Sequence, residues 1–388
     1  MSGCIIGWAH SAFGKREEAD IEALIGLVAR DAVAHSELAF EDIGAVFVGV
    51  FNAGFTKQDF PSSLVFQSVP ELRFVPSTRL ENACATGSAA VHAALNYVAA
   101  NRGKAALVIG AEKMTHTPTA EVGDNLLNAC YRREEENVDG GFAGIFAQIA
   151  QRYFQEHGDK SEALARIAAK NHANGMHNPY AQMRKEFSVE FCNEVSEKNP
   201  YVAPPLRRTD CSLVSDGAAA IVVADPELAM TAPRAVAFRG RAQVNDLMPI
   251  RGREITRFEG CQRAWAEALD AADLILDDLD LVETHDCFTI AELIEYEAMG
   301  LADAGQGHRA IEEGWVAKDG RLPVNVSGGL KAKGHPIGAT GVSMHALCAM
   351  QLTGTAGDMQ LDGASKAGIF NMGGAAVANF VSVLERVR

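Results

Sequence analysis

The 388 residues carry 35 Lys and Arg against 50 Asp and Glu, a formal net charge of −15, with 48% hydrophobic and 22% charged residues. That hydrophobic share excludes a disordered chain. The acidic excess excludes a general nucleic-acid or anionic-membrane binder, which needs basic surface to displace counterions. The length suits two or three domains.

No apolar run reaches the ~18 residues of a membrane-spanning helix. The opening MSGCIIGWAHSAFGK lacks the basic start and long apolar core of a signal peptide and reads as a first strand. The eight cysteines, at 4, 84, 130, 192, 211, 261, 287 and 348, stand singly without a CxxC pair. Free thiols in a reducing cytosol are therefore expected, not a disulfide scaffold or a zinc site.

In chain order, an amphipathic helix over Ile21–His35 leads into the apolar strand AVFVGVF. The segment Thr78–Ser88 ends a strand and starts the helix AAVHAALNYVAAN, which stops near Arg102-Gly103. Cys84 thus falls at a helix N-terminus, where unpaired N–H groups lower a thiol's pKa, with small neighbours that let a substrate approach. A nucleophile and a merely small residue at a tight junction both fit that position. The strand AALVIGAE follows. The stretch from about 115 to 207 is the least strand-like, with the acidic YRREEENVDGG and two helical segments. AIVVAD then closes the first half.

The second half opens with a helix over Cys261–Ala272 and the strand LDLVETHD, ending in His285-Asp286-Cys287-Phe288. Active sites of open α/β sheets lie at such C-terminal strand ends. Metal binding by His285, Asp286 and Cys287 is not expected, because adjacent residues seldom reach one tetrahedral ion. The densest Gly-rich loop, Val326–Gly341, carries His335, which Pro336 holds in place, and lacks the P-loop pattern. GIFNMGG and VANFVSVLE end the chain.

The segments repeat. Glu37–Val46 resembles Asp273–Val282, and Ala85-Thr86-Gly87 resembles Ala339-Thr340-Gly341 at similar spacing. SDGAAAIVVAD resembles NMGGAAVANFV, aligning Gly217 with Gly373, at a spacing shorter by roughly a hundred residues. Two similar halves, 1–231 and 232–388, are expected, the first with an insertion at about 115–207. Alternation of strands and helices implies mostly parallel sheets covered on both faces. Two packed halves give a five-layer α/β/α/β/α body.

Together ENACATGSAA, HDCF, GGLKAKGHPIGATG, SDGAAA and NMGGAA resemble the thiolase superfamily, over essentially the whole chain. HDCF in place of the commoner NEAF is similar to the branch of sterol-carrier-protein-type thiolases and archaeal acetoacetyl-CoA thiolases. The resemblance implies a duplicated fold with an inserted loop domain. It implies that Cys84 accepts the acyl group, that His335 is its base and lines an oxyanion hole, and that His285 positions the other oxyanion donor. It further implies that the Gly373 N–H serves a second oxyanion hole and that Ser212 touches the pantetheine arm. Most thiolases have a second cysteine in a C-terminal CxG motif. Here that triplet is Asn371-Met372-Gly373, so Cys287 is the natural replacement as proton shuttle.

The implied activity is thiolytic cleavage of a 3-ketoacyl-CoA, or the reverse condensation. Acyl-CoA and CoA serve as substrates, without cofactor or metal. The implied partner is a second copy, as homodimer or dimer of dimers, with an OB-fold protein as a further candidate. Lys331, Lys333, Arg207 and Arg208 are candidate contacts for the CoA phosphates or plain solvated charges. A thiolase-fold aldolase or lyase and a non-catalytic CoA-binding member are the competing readings.

Overall fold

A computed structural model describes residues 2–18 and 20–388. The first half runs β1 (Cys4–His10), α1 (Ile21–Ser36), β2 (Ile43–Gly49), α2 (Pro61–Ser68), β3 (Ser77–Leu80), α3 (Thr86–Ala99) and β4 (Ala105–Glu112). Asp20 starts α1 by accepting from the Ala23 N–H at 2.9 Å, and Glu37 ends it in the left-handed conformation. The chain then leaves the sheet for α4 (Thr119–Leu126), α5 (Arg132–Glu135), α6 (Gly141–His157), α7 (Ser161–Gly175) and α8 (Val189–Asn193). A small hairpin of β5 (Tyr201–Ala203) and β6 (Leu206–Arg207) follows, and the chain returns as β7 (Gly217–Ala224) before α9 (Pro226–Ala229). The second half runs β8 (Val236–Asn245), α10 (Glu259–Ala272), β9 (Leu281–Glu283), α11 (Thr289–Ala298), α12 (Gly307–Glu312), α13 (Gly329–Lys333), α14 (Ile337–Leu352), β10 (Lys366–Gly373) and β11 (Ala378–Arg386).

Strand order is β3-β2-β4-β7-β1 and then β8-β11-β10-β9. The seam between the two sets consists of two pairs, Cys4 with Ala237 and Ile5 with Val236. Beyond β9, Val324 bridges Val282 in parallel, in the place that β3 takes beside β2. Each set therefore has a parallel portion followed by two antiparallel pairings.

The sheets are thus mixed, where strand–helix alternation predicted mostly parallel ones. A parallel pairing needs a crossover over a sheet face. The β10–β11 connection is instead the turn 374–377, and β4 reaches β7 through the inserted segment, so both return strands run antiparallel. One repeat match shifts as a result. Gly217 opens β7 whereas Gly373 closes β10, and the counterpart of β7 is β11.

Five layers result. α14 has no charged residue and is buried along its whole length, as a helix apolar on all sides must be. With α3 it lies between the two sheets, sharing a core with Val108 and Ile221 of one and Phe238 and Ile369 of the other. α1 and α2 cover the outer face of the first sheet. α10 and α11 cover the second, with α6 and α7 packed against them. Among the described residues no helix is long and apolar enough to cross a membrane.

Candidate active site

Between β3 and α3 the chain makes a sharp turn. Ala83 takes φ of +48°, a conformation costly for a residue with a Cβ, on the order of 1–3 kcal/mol. The turn is held by the Ala85 N–H donating to the Asn82 carbonyl at 3.0 Å. Thr86 Oγ1 donates to the Ala83 carbonyl at 2.6 Å and accepts from the Asn82 N–H at 2.9 Å. Cys84 projects from this turn, one residue before the helix cap Ala85.

The expected lowering of its thiol pKa does not occur. Burial pushes it up to about 12; Glu81 and Glu112 add to the rise, and an N–H donated by Gly374 opposes it. The sulfur lies in an apolar wall, so desolvation outweighs the helix end. That amide belongs to Gly374, next to Gly373. Gly373 packs so tightly on the Asn82 carbonyl that a Cβ there would lie 2.2 Å from it.

His335 follows Gly334, whose φ of +106° ends α13. Its N–H donates to Ser215 Oγ at 2.9 Å, and its Nδ1 lies 2.6 Å from Thr340 Oγ1. Burial, aided by Lys333, lowers its pKa to about 3, so the imidazole is neutral. Nε2 is buried with no hydrogen-bond partner among the described residues.

His285 and Cys287 lie on the turn between β9 and α11. The Cys287 N–H donates to the His285 carbonyl at 3.0 Å, and the Cys287 carbonyl accepts from Ser212 N–H at 2.9 Å. Burial drives the Cys287 thiol well above its usual range, with Cys84, Glu295 and Asp286 adding. Burial likewise keeps His285 neutral, with its Nε2 unpartnered among the described residues. Asp286 turns away. Its carboxylate accepts from the N–H groups of Leu330 (2.6 Å) and Lys331 (3.1 Å) and from Asn171 Nδ2 (2.8 Å), pinning α13 beneath the His335 loop.

The structure brings these groups together. The Cys84 sulfur and one ring nitrogen each of His285 and His335 lie within 4.8 Å of one another. The two rings are nearly perpendicular, 5.1 Å apart. Cys84, Cys287 and His335 line a cavity of about 160 Å³ whose other walls include Met114, Leu126, Phe142 and Phe288, with Ser212 on one side. The phosphate candidates fare differently. Arg207, Lys331 and Lys333 are buried, Arg207 on Asp210 and Lys331 on the Cys211 carbonyl; Arg208 alone is exposed.

Sequence reasoning missed Asn371 and Thr340 as working parts. Asn371 touches Cys84 and His285, and Thr340 touches His335. Asn371 stands at the position of the missing CxG cysteine, and Thr340 lies five residues past His335, in the first turn of α14. Both were visible as motif positions.

The family model for the thiolase N-terminal domain matches residues 4–227, and that for the thiolase C-terminal domain-like region matches 242–386. The chain belongs to the thiolase family. This thiolase is 35% identical to the acetyl-CoA acetyltransferase of Methanothermobacter thermautotrophicus, over 98% of this chain and 99% of that one. It is 32% identical to sterol carrier protein 2 of Bos taurus, over 77% of this chain and 57% of that protein. Among solved structures, the Ltp2-ChsH2(DUF35) aldolase shares the fold at a TM-score of 0.83 and 21% identity, covering 100% of this chain and 98% of that one. Family and relatives make the chain an acyltransferase enzyme of the thiolase class.

Proposed function

We propose that this thiolase cleaves 3-ketoacyl-CoA with CoA, and runs the reverse condensation of two acyl-CoAs, through an acyl-Cys84 intermediate. The observation that carries the reading is the convergence of the Cys84 sulfur with ring nitrogens of His335 and His285, beside an apolar cavity that Cys84, Cys287 and His335 line. With the thiol protonated and His335 neutral, the base takes the S–H proton as sulfur attacks the 3-keto carbonyl. The N–H groups of Gly374 and Cys84 itself, which favour the thiolate, are the donors we assign to the tetrahedral oxyanion that forms beside it. The C2–C3 bond breaks, and the departing acetyl-CoA enolate takes its proton at carbon from the Cys287 thiol. CoA then gives up its thiol proton to the Cys287 thiolate and attacks acyl-Cys84. The Cys84 thiolate leaves and recovers its proton from His335. The condensation follows the same steps backwards.

Mixing with acetyl-CoA and locating the acyl group by peptide mass spectrometry tests the intermediate. Label on Cys84, lost on adding CoA, is expected. Cleavage of a C–C bond with no label at any time would favour the aldolase reading instead.

A second copy of the chain is part of the proposal. β3 is an edge strand with open backbone groups, and Phe74 (86% exposed) and Phe60 (67% exposed) flank it. The aldolase neighbour is named together with a DUF35 protein; an OB-fold partner for this chain is a proposal resting on resemblance.

A further inference from the structure

Asn371 is fully buried where the two halves meet, and its neighbours fix the orientation of its amide. One amide atom lies 2.8 Å from Ser88 Oγ. The other lies 3.1 Å from the Cys84 carbonyl oxygen and 2.9 Å from His285 Nδ1. A carbonyl oxygen can only accept, so the atom facing it is Nδ2, and Oδ1 accepts from Ser88. The two hydrogens on Nδ2 then go to the Cys84 carbonyl and to His285 Nδ1. A neutral imidazole that accepts at Nδ1 carries its proton on Nε2.

We propose that Asn371 is a positioning residue that holds His285 as the Nε2–H tautomer, a fixed donor to the enolate oxygen and not a base. The proposal deepens the acyl-transfer reading and rests on it for the identity of that oxygen. His285 Nε2 is buried, without a partner among the described residues, in the trio with Cys84 and His335. His335 is set the opposite way. Its Nδ1 faces Thr340 Oγ1, which donates to the Pro336 carbonyl at 3.0 Å and so accepts from Nδ1–H, leaving Nε2 bare. Two rings 5.1 Å apart thus present one donor and one base. A cysteine at 371 has a single weak donor and could not serve both the Cys84 carbonyl and His285.

Two measurements test this. In wild-type protein with ¹⁵N-labelled histidine, two-bond ¹H–¹⁵N correlations report each tautomer, and the His285 signals are those lost in His285→Gln. A protonated Nε2 with bare Nδ1 is expected; a protonated Nδ1 overturns the proposal. The second is Asn371→Asp, whose carboxylate accepts where the amide donated and so draws the imidazole proton to Nδ1. Deuterium exchange at the acetyl-CoA α-carbon and kcat for condensation should fall about 10²–10³-fold, the usual loss for one oxyanion donor. KM should stay within about threefold and Cys84 should still acylate. Wild-type kcat in Asn371→Asp overturns the proposal. Absence of any Cys84 acylation in the wild type would instead sink the acyl-transfer reading, while the tautomer measurement would still decide the state of His285.

Discussion

Gly87 of α3 and Gly341 of α14 meet at the crossing of the two central helices with no room for a side chain on either. A Cβ at Gly87 would lie 2.7 Å from the Val342 nitrogen; one at Gly341 would lie 2.3 Å from the Ser88 nitrogen and 2.5 Å from Asn371 Oδ1. Each glycine follows its catalytic candidate by a few residues, Cys84 in one half and His335 in the other. The close crossing is what brings a first-half sulfur to a second-half imidazole.

Gly341→Ala should therefore damage both stability and site. Overpacking of this kind costs about 1–3 kcal/mol, and the contacts that must yield include backbone. A lower melting temperature is expected by calorimetry, with kcat down at least about tenfold because Ser88 and Asn371 are displaced. Wild-type values for both would mean that the crossing can open without consequence.

Cys287→Ala should separate the two half-reactions. Acyl transfer from acetyl-CoA to Cys84 should still occur as a single burst. Exchange of acetyl-CoA α-protons with deuterated solvent and formation of acetoacetyl-CoA should be lost. Exchange near the wild-type rate would give the proton shuttle to another group. The tautomer proposed for His285 leaves that residue no free nitrogen to accept the proton.

Much of this site is legible in the sequence. The motifs around Cys84, His285, Cys287 and His335 each end a strand or precede a helix, and the repeat tells which lie in equivalent places. What the sequence does not carry is depth. Burial decides the Cys84 thiol against its helix-end position, and it removes Lys331, Lys333 and Arg207 from any phosphate. Strand direction departs from the expectation because the β4–β7 and β10–β11 connections cross no sheet face. Asn371 looks like a missing cysteine, because its partners, Cys84 and Ser88 in one segment and His285 in another, all lie far from it in the chain.

The burial of both reactive groups fixes a pH dependence. His335 titrates at about 3 in the folded protein, below its ordinary 6.5, so the base stays deprotonated as pH falls through 6.5. The base should therefore put no fall into kcat/KM between about pH 8 and about 5; a fall near pH 7 would belong to the buried carboxyls of Asp286 and Glu112, which burial raises to about 7. Cys84 is raised to about 12, above its ordinary range, so its thiolate fraction keeps growing through pH 9. The log of its iodoacetamide labelling rate should rise with pH at about one unit per unit between roughly 7 and 10. Levelling near pH 8.5 would show a thiol that feels no burial.

The edge strand predicts assembly. Light scattering behind size exclusion should give the wild type at least twice the mass of one chain. Phe74→Asp, which puts a charge on the most exposed aromatic beside β3, should shift it toward a single chain. A wild type that runs as one chain at micromolar concentration would remove the second copy from the proposal.

The cavity walls bear on the acyl group. Met114, Leu126, Phe142 and Phe288 offer no charged side chain, and the polar groups nearby, His335 and Ser212, sit beside the reacting sulfur and the Cys287 turn. An acyl chain ending in a carboxylate would bury that charge unpaired, at several kcal/mol. In a series of 3-ketoacyl-CoAs assayed with CoA, uncharged acyl groups should be cleaved with kcat/KM at least about 100-fold above their carboxylate-ended counterparts of equal length. Phe142→Arg should narrow that gap by giving the carboxylate a partner, while slowing the uncharged substrates. Equal rates for charged and uncharged chains in the wild type would mean that the acyl group lies outside this cavity.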